Sequence, residues 1–217
     1  MQQEQVILET KDLTFLDILS FPDLKINQGD FVFIEGESGA GKSTLLKLFN
    51  NTMSPTTGEI YFQGESIEDM DTIKLRREVL LISQSVFLFE GTIADNFDKF
   101  YDYREEPHLT SEEKEKFLNL ARVPFNLSDS ADNMSGGEQQ RVYIAILLSF
   151  GPKVLMLDEP TSALDQRTAY ELYSNLKDYS KKQGMTIITV SHDEGLLEEF
   201  SDHTISIVKG INYARHC

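Results

Sequence analysis

Two stretches of this chain carry residue types suited to holding phosphate. The first, GESGAGKS, follows the apolar run FVFIE and opens a helical pattern. It comprises Gly36, Glu37, Ser38, Gly39, Ala40, Gly41, Lys42 and Ser43, with Thr44 next. Glycines in such a loop let backbone amides turn inward around an anion. A lysine at the end of the loop reaches the outer phosphates, and the following hydroxyl takes a place on Mg2+. The second stretch is MSGGEQQR, where Ser135, Gly136, Gly137 and Glu138 lead into the apolar run VYIAILLSF. Bare amides, a hydroxyl and the positive end of a helix dipole again suit phosphate. One nucleotide in one small domain does not need both.

Other chemistry-bearing residues stand at the ends of apolar strand-like runs. Asp158 and Glu159 end VLMLDE, Gln84 follows VLLIS, and His192 follows TIITVS. Ligands of α/β folds bind at the carboxyl ends of parallel strands. Taken singly, each of these is an ordinary solvated strand end. After a phosphate loop they gain meaning, because phosphoryl transfer needs a carboxylate for the metal and a group that orients the nucleophile. Asp158 then suits Mg2+, Glu159 suits an attacking water, and His192 suits a terminal phosphate. His108, His203 and His216 have no such setting and read as surface residues. No Cys/His cluster suggests a structural metal.

The elements that must position these residues alternate between strand and helix. Strands are expected at Val6–Phe15, Leu19–Ile26, Phe31–Gly36, Thr57–Glu65, Val79–Ser83, Val154–Asp158, Thr186–Ser191 and His203–Val208, with Pro22 suggesting an edge. Helices are expected over Lys42–Asn51, over most of Thr92–Leu148, and over Thr168–Lys181, where Ala169, Leu172, Tyr173 and Leu176 share a face. Such an order implies an α/β fold with a parallel sheet in its core, an N-terminal antiparallel β layer and an inserted helical lobe; GESGAGKS marks that core as of the P-loop NTPase type.

Composition narrows the function classes. The chain has 217 residues, 20 Lys/Arg against 36 Asp/Glu, and a formal net charge of −16. That balance opposes nucleic-acid binding, which depends on basic residues displacing counterions, so no nucleic-acid partner is expected. It equally disfavours direct docking on an anionic leaflet. The one cysteine, Cys217, is the last residue, so no internal disulfide forms. MQQEQVILETKD lacks the basic and apolar regions of a signal peptide, and no run reaches the roughly 20 apolar residues of a membrane span. A cytoplasmic location is expected.

GESGAGKS, Gln84 in LISQ, MSGGEQQR, VLMLDEPTSALD and His192 in VSHD, in this order, resemble the nucleotide-binding subunit of ATP-binding cassette (ABC) transporters. The resemblance covers essentially the whole chain. It implies one nucleotide-binding domain over 1–217, with a helical subdomain at about 85–148 inserted in the ATP-binding core. ATP and Mg2+ are the implied cofactors, and an ATP-dependent head-to-tail homodimer is the implied assembly. In it, MSGGE of one copy covers the ATP held by GESGAGKS of the other, so the second phosphate site serves the neighbour's nucleotide. MSGGE departs from the consensus LSGGQ at Met134 and Glu138, and the signature is still expected to function.

By the same resemblance Glu159, His192, Gln84 and Lys42 carry catalysis, while Ser43, Gln84 and Asp158 surround the metal. Gln84 links the nucleotide to the helical lobe, and Ser162–Asp165 forms a loop between two active sites. Phe15 is the candidate for stacking on adenine, with Phe21 as its rival. The implied partner is a multi-spanning membrane permease on another chain, docking around Gln84–Asn96. There Val86, Phe87, Leu88 and Phe89 either pack the lobe or form an exposed patch. Three functions follow: a separate transport ATPase subunit, an excised domain of a fused drug or lipid exporter, or a non-transport ABC ATPase. The starting methionine and an ending by residue 217 favour a separate subunit. GESIEDMD and LISQSVFLFEGTI look most like small bacterial ATPases linked to export of iron or another metal.

Overall fold

The computed structural model describes residues 5–16 and 18–208; His216 and Cys217 lie outside the described residues. The chain divides into two compact units. One takes the residues up to Leu81, Pro152–Asp158 and those from Ser180 on; the other takes Ile82–Gly151 and Glu159–Tyr179.

The first unit is built on two sheets. β1 (Val6–Phe15) pairs antiparallel with β2 (Leu19–Ser20), β3 (Lys25–Asn27) and β5 (Thr57–Phe62), and β5 pairs with β6 (Glu65–Ser66). This is the expected antiparallel layer. The expected single strand over Leu19–Ile26 is two short strands instead, broken around Pro22. Proline has no amide proton for a ladder bond, and the Pro22 carbonyl instead accepts from the Thr10 hydroxyl at 3.0 Å.

The second sheet runs in the order β10 (His203–Ser206), β4 (Phe31–Glu35), β9 (Thr186–Val190), β8 (Val154–Asp158), β7 (Val79–Ile82). The pairs β10/β4, β4/β9 and β9/β8 are parallel. Every residue of β8 and β9 is buried, as are Phe31 to Ile34 of β4. Burial on both faces explains why these strands read as continuous apolar runs without alternation. Each fully buried Val, Ile or Phe contributes about 1.5–3 kcal/mol relative to exposure. Leu45, Leu46, Leu48 and Phe49 of α1 (Lys42–Phe49) join the same core cluster as Val32, Ile34, Val154 and Met156. α2 (Thr72–Glu78) and α7 (Glu194–Phe200) were not anticipated. Each is a seven-residue helix, too short for periodicity to mark. Their caps were the usable signals: Asp71 accepts from Lys74 N, and Asp193 from Leu196 N.

The second unit is mainly helical: α3 (Ile93–Arg104), α4 (Ser111–Leu120), α5 (Gly136–Ser149) and most of α6 (Gln166–Gln183). Thr92 and Thr110 cap α3 and α4 through capping boxes with Asp95 and Glu113. Buried Lys114 holds Asp98 at 2.5 Å, tying α4 to α3.

Candidate functional site

The parallel register decides what meets at the carboxyl edge of the second sheet. Ile34 lies opposite Val190, and Val190 opposite Asp158. The loop starting at Gly36, the segment carrying His192, and Asp158 therefore leave the sheet at one edge. His192 is exposed there, next to buried Ser191, whose hydroxyl accepts from the Asp193 amide at 3.2 Å.

Between β4 and α1 the chain must turn tightly, and two glycines make that turn. Gly36 has φ 145°, and a Cβ there would sit 2.2 Å from the Ile207 carbonyl oxygen. Gly41, in the left-handed region at φ 101°, caps α1, and a Cβ would meet Leu19 Cδ1 at 2.9 Å. No L side chain fits either position without moving backbone or core. Lys42 folds back into the loop: its Nζ donates to the carbonyls of Gly36 at 2.8 Å and Glu37 at 3.0 Å, and the residue is buried. One residue on, Ser43 Oγ donates to Asp158 Oδ1 at 3.0 Å. Asp158 is itself buried.

This arrangement fits a magnesium nucleotide. The loop is a cradle that only glycine can line at Gly36 and Gly41, with an ammonium at its mouth. A hydroxyl and a carboxylate already in contact supply the hard oxygen pair that Mg2+ prefers. Lys42, Ser43 and Asp158 come together in one unit, with His192 at the same sheet edge.

Gln84 and Glu159 come together in the other unit, where Gln84 Nε2 donates to Glu159 Oε2 at 3.4 Å. Glu159 occupies the left-handed region at φ 53°, and its carbonyl accepts from the Ser162 amide at 3.3 Å.

Also in this unit, Ser135 caps α5, with Gly136 exposed and Gly137 buried. The two glycines differ in surroundings. A Cβ on Gly136 meets nothing within 4 Å, whereas one on Gly137 would meet the Ala163 carbonyl at 3.1 Å and Leu164 Cδ2 at 3.2 Å. Gly137 thus packs against the loop Ser162–Asp165, and Gly136 is the open one. Glu138 Oε2 accepts from the Ser135 amide at 2.8 Å and its hydroxyl at 2.7 Å. Those two hydrogen bonds hold the Glu138 carboxyl below the usual glutamate range, the hydroxyl contributing most.

Of the two aromatic candidates, Phe21 is buried in the core cluster, its ring edge 3.3 Å from where a Gly41 Cβ would stand. It is a packing residue. Phe15, at the end of β1, is only half-buried. In the segment after Gln84, Phe87 is 62% exposed while Val86, Leu88 and Phe89 are half-buried. Phe89 stacks on Tyr103 at 5.7 Å and packs edge-on against Phe87 and Phe100. Tyr103 is itself 74% exposed. The patch therefore includes a ring from α3 that local sequence did not associate with it.

Asn96 was also missed. It is fully buried, its Oδ1 accepting from the Phe89 amide at 2.7 Å and its Nδ2 donating to the Phe89 and Thr92 carbonyls at 3.0 Å. The only signal was an asparagine at a position that a helical pattern buries. His108, expected on the surface, is half-exposed and lies between Asp98 (3.3 Å) and Asp102 (2.7 Å).

The ABC transporter family profile matches residues 19–162, about two-thirds of the chain. The chain belongs to the ABC transporter family. It is 35% identical over 195 residues to protein STAR1 of rice, which covers 89% of this chain; the chain spans only 56% of the rice protein. It is 34% identical over 203 residues to the phosphonates import ATP-binding protein PhnC of Lactobacillus johnsonii, covering 87% of this chain and 79% of that protein. Among solved structures, the dimeric post-hydrolysis cassette MJ0796 with ADP and Pi superposes with a TM-score of 0.79. It is 26% identical, over 93% of this chain and 94% of that one. The expected fold and family are borne out: this is an ABC cassette, and as an ATP-binding cassette domain it is an ATPase that uses ATP with Mg2+. Among the described residues no helix is long and apolar enough to cross a membrane.

Proposed function

We propose that this ABC cassette is the ATP-hydrolysing subunit of a transporter whose membrane-spanning permease is a separate chain. The observation that carries the ATP-hydrolysing part of the reading is the Lys42–Ser43–Asp158 constellation, an ammonium folded onto the carbonyls of the glycine loop beside a hydroxyl and a carboxylate in contact. Mg2+ supplies charge neutralisation on the phosphates when bound. Gly36 to Thr44 hold the phosphates, Lys42 meets the outer ones, and Ser43 and Asp158 hold the metal, with Gln84 a third ligand. Glu159 takes the proton of, or orients, the attacking water, with Gln84 Nε2 donating to its carboxylate. His192 contacts the terminal phosphate, and Phe15 stacks on adenine.

Two copies pair head to tail, and Ser135, Gly136, Gly137 and Glu138 of one close over the nucleotide of the other. A dimeric solved cassette of matching length supports the pairing. Each copy carries −16, so unliganded copies repel. Gly136 is the residue to test: Gly136→Trp abolishes ATP-dependent pairing while ATP binding by the single copy persists.

The permease docks on the exposed Phe87–Phe89–Tyr103 patch, its positive cytoplasmic loops complementing this acidic subunit. That holds the subunit at the cytoplasmic face of the membrane. Similar proteins are named for both directions: phosphonate and methionine import on one side, a solved bacterial Atm1-family exporter on the other. The sequence around LISQSVFLFEGTI supports export of a metal cation such as iron. Gene deletion followed by loading with iron, other metals and unrelated drugs separates the readings. Raised iron content on deletion supports metal export, reduced uptake of a nutrient supports import, and altered resistance to an organic compound supports a drug exporter.

A further inference from the structure

Among the described residues, three helices open on the same four-residue cap. At α3, Asp95 Oδ2 accepts from the Thr92 amide (2.9 Å) and hydroxyl (2.7 Å); at α4, Glu113 Oε2 does the same for Thr110 (2.8 and 2.9 Å). At α3 and α4 the cap closes the first turn of the helix. At α5 the same device occupies Ser135, a hydroxyl that the proposed dimer needs for the partner copy's nucleotide. A serine has one hydroxyl proton. While Glu138 holds it, Ser135 presents only lone pairs to an arriving phosphate, and a carboxylate stands behind them.

Glu138 has a second destination. Arg141 lies three residues along α5, on the same face, where side chains are neighbours. It is 8% exposed, and its Nε has no hydrogen-bond partner among the described residues. A buried donor without an acceptor is costly and calls for an explanation. Of the charges facing it, Glu138 and then Asp165 act most strongly on the guanidinium.

We propose that Glu138 is a positioning residue with two stations. On Ser135 it withholds the hydroxyl proton; on Arg141 it satisfies the buried Nε and releases that proton to the partner copy's phosphate. The exchange sets the ATP concentration at which two copies close. This rests on the trans role of Ser135–Gly137 given above.

Glutamine at position 138 keeps the cap, since Glu and Gln both close capping boxes, but accepts through a neutral oxygen. Hydrogen bonds to charged acceptors are about twice as strong as neutral ones, so the neutral acceptor releases Ser135 more readily.

The test is sedimentation velocity of the full chain over an ATP titration, in a Glu159→Gln background that slows turnover. Adding Glu138→Gln lowers the ATP midpoint of dimer formation by about tenfold, the size of the difference between charged and neutral acceptors. In a Ser135→Ala background the same change moves it by less than about twofold. Arg141→Lys, which removes the second station but keeps the charge, raises the midpoint. An unmoved or raised midpoint with Glu138→Gln, an equal shift without the Ser135 hydroxyl, or an unmoved midpoint with Arg141→Lys overturns the proposal. Gly136→Trp separates the layers. If it still dimerises with ATP, the trans reading itself falls; if it does not and Glu138→Gln has no effect, only the two-station role falls.

Discussion

Ser43 Oγ lies 3.0 Å from Asp158 Oδ1, joining the first turn of α1 to the last residue of β8 across 115 residues of sequence. The contact is charge-assisted and partly buried, the setting in which a hydrogen bond stabilises most. It also holds the two oxygens of the proposed metal site side by side, so less ordering remains to be done on binding.

Removing one ligand therefore changes the metal requirement more than it changes the fold. Ser43→Ala raises the Mg2+ concentration for half-maximal ATPase activity by about tenfold or more, by analogy with the 10- to 100-fold affinity loss on removing groups that support metal ligands. Activity titrated with MgCl2 at saturating ATP checks it. An unchanged midpoint removes Ser43 from the metal site.

Asn96 holds both backbone groups of Phe89 from a fully buried position. Asn96→Ala leaves those groups without side-chain partners, at about 1–3 kcal/mol for each group that stays unsatisfied. Urea denaturation should show a loss of about 2 kcal/mol or more by the same reckoning. Recruitment by the proposed permease should fall as well, because Phe89 anchors the aromatic patch proposed to receive it. A variant as stable as the parent contradicts the anchoring role.

Acid sensitivity has a definite sign. Hydrogen bonds from Thr92, Thr110 and Ser135 hold the carboxyls of Asp95, Glu113 and Glu138 below their ordinary range. A folded-state value below the unfolded one stabilises at pH above the unfolded value and loses that contribution as pH falls through the folded one. Melting temperature should be flat near neutrality and decline below about pH 4, the unperturbed carboxylate region. Thr110→Val, which removes the hydroxyl bond to Glu113, should make that decline shallower; an identical decline would count against the capping contribution.

Much of the site was legible because its residues announce themselves at strand ends and before helices. GESGAGKS needed only a strand before it and a helix after it, and the structure supplies both as β4 and α1. The buried strands β8 and β9 were legible as apolar runs for the same reason. What local sequence did not carry was partnership over distance. Nothing in the residues flanking Tyr103 marks that its ring stacks on Phe89. Gly136 and Gly137 look alike in the sequence, yet only Gly137 lies against Ala163. Nor does the Glu that ends MSGGE say whether it caps its own helix or faces outward; the hydrogen bonds to Ser135 decide that.

The account stands most directly on Glu159, whose carboxylate has Gln84 within 3.4 Å. Purified Glu159→Gln protein should bind ATP with near-parental affinity and hydrolyse it about 10²- to 10⁴-fold more slowly, the range for loss of a positioned base. Steady-state phosphate release beside equilibrium ATP binding measures both. Hydrolysis within a few-fold of the parent would contradict the assignment of Glu159 to the attacking water.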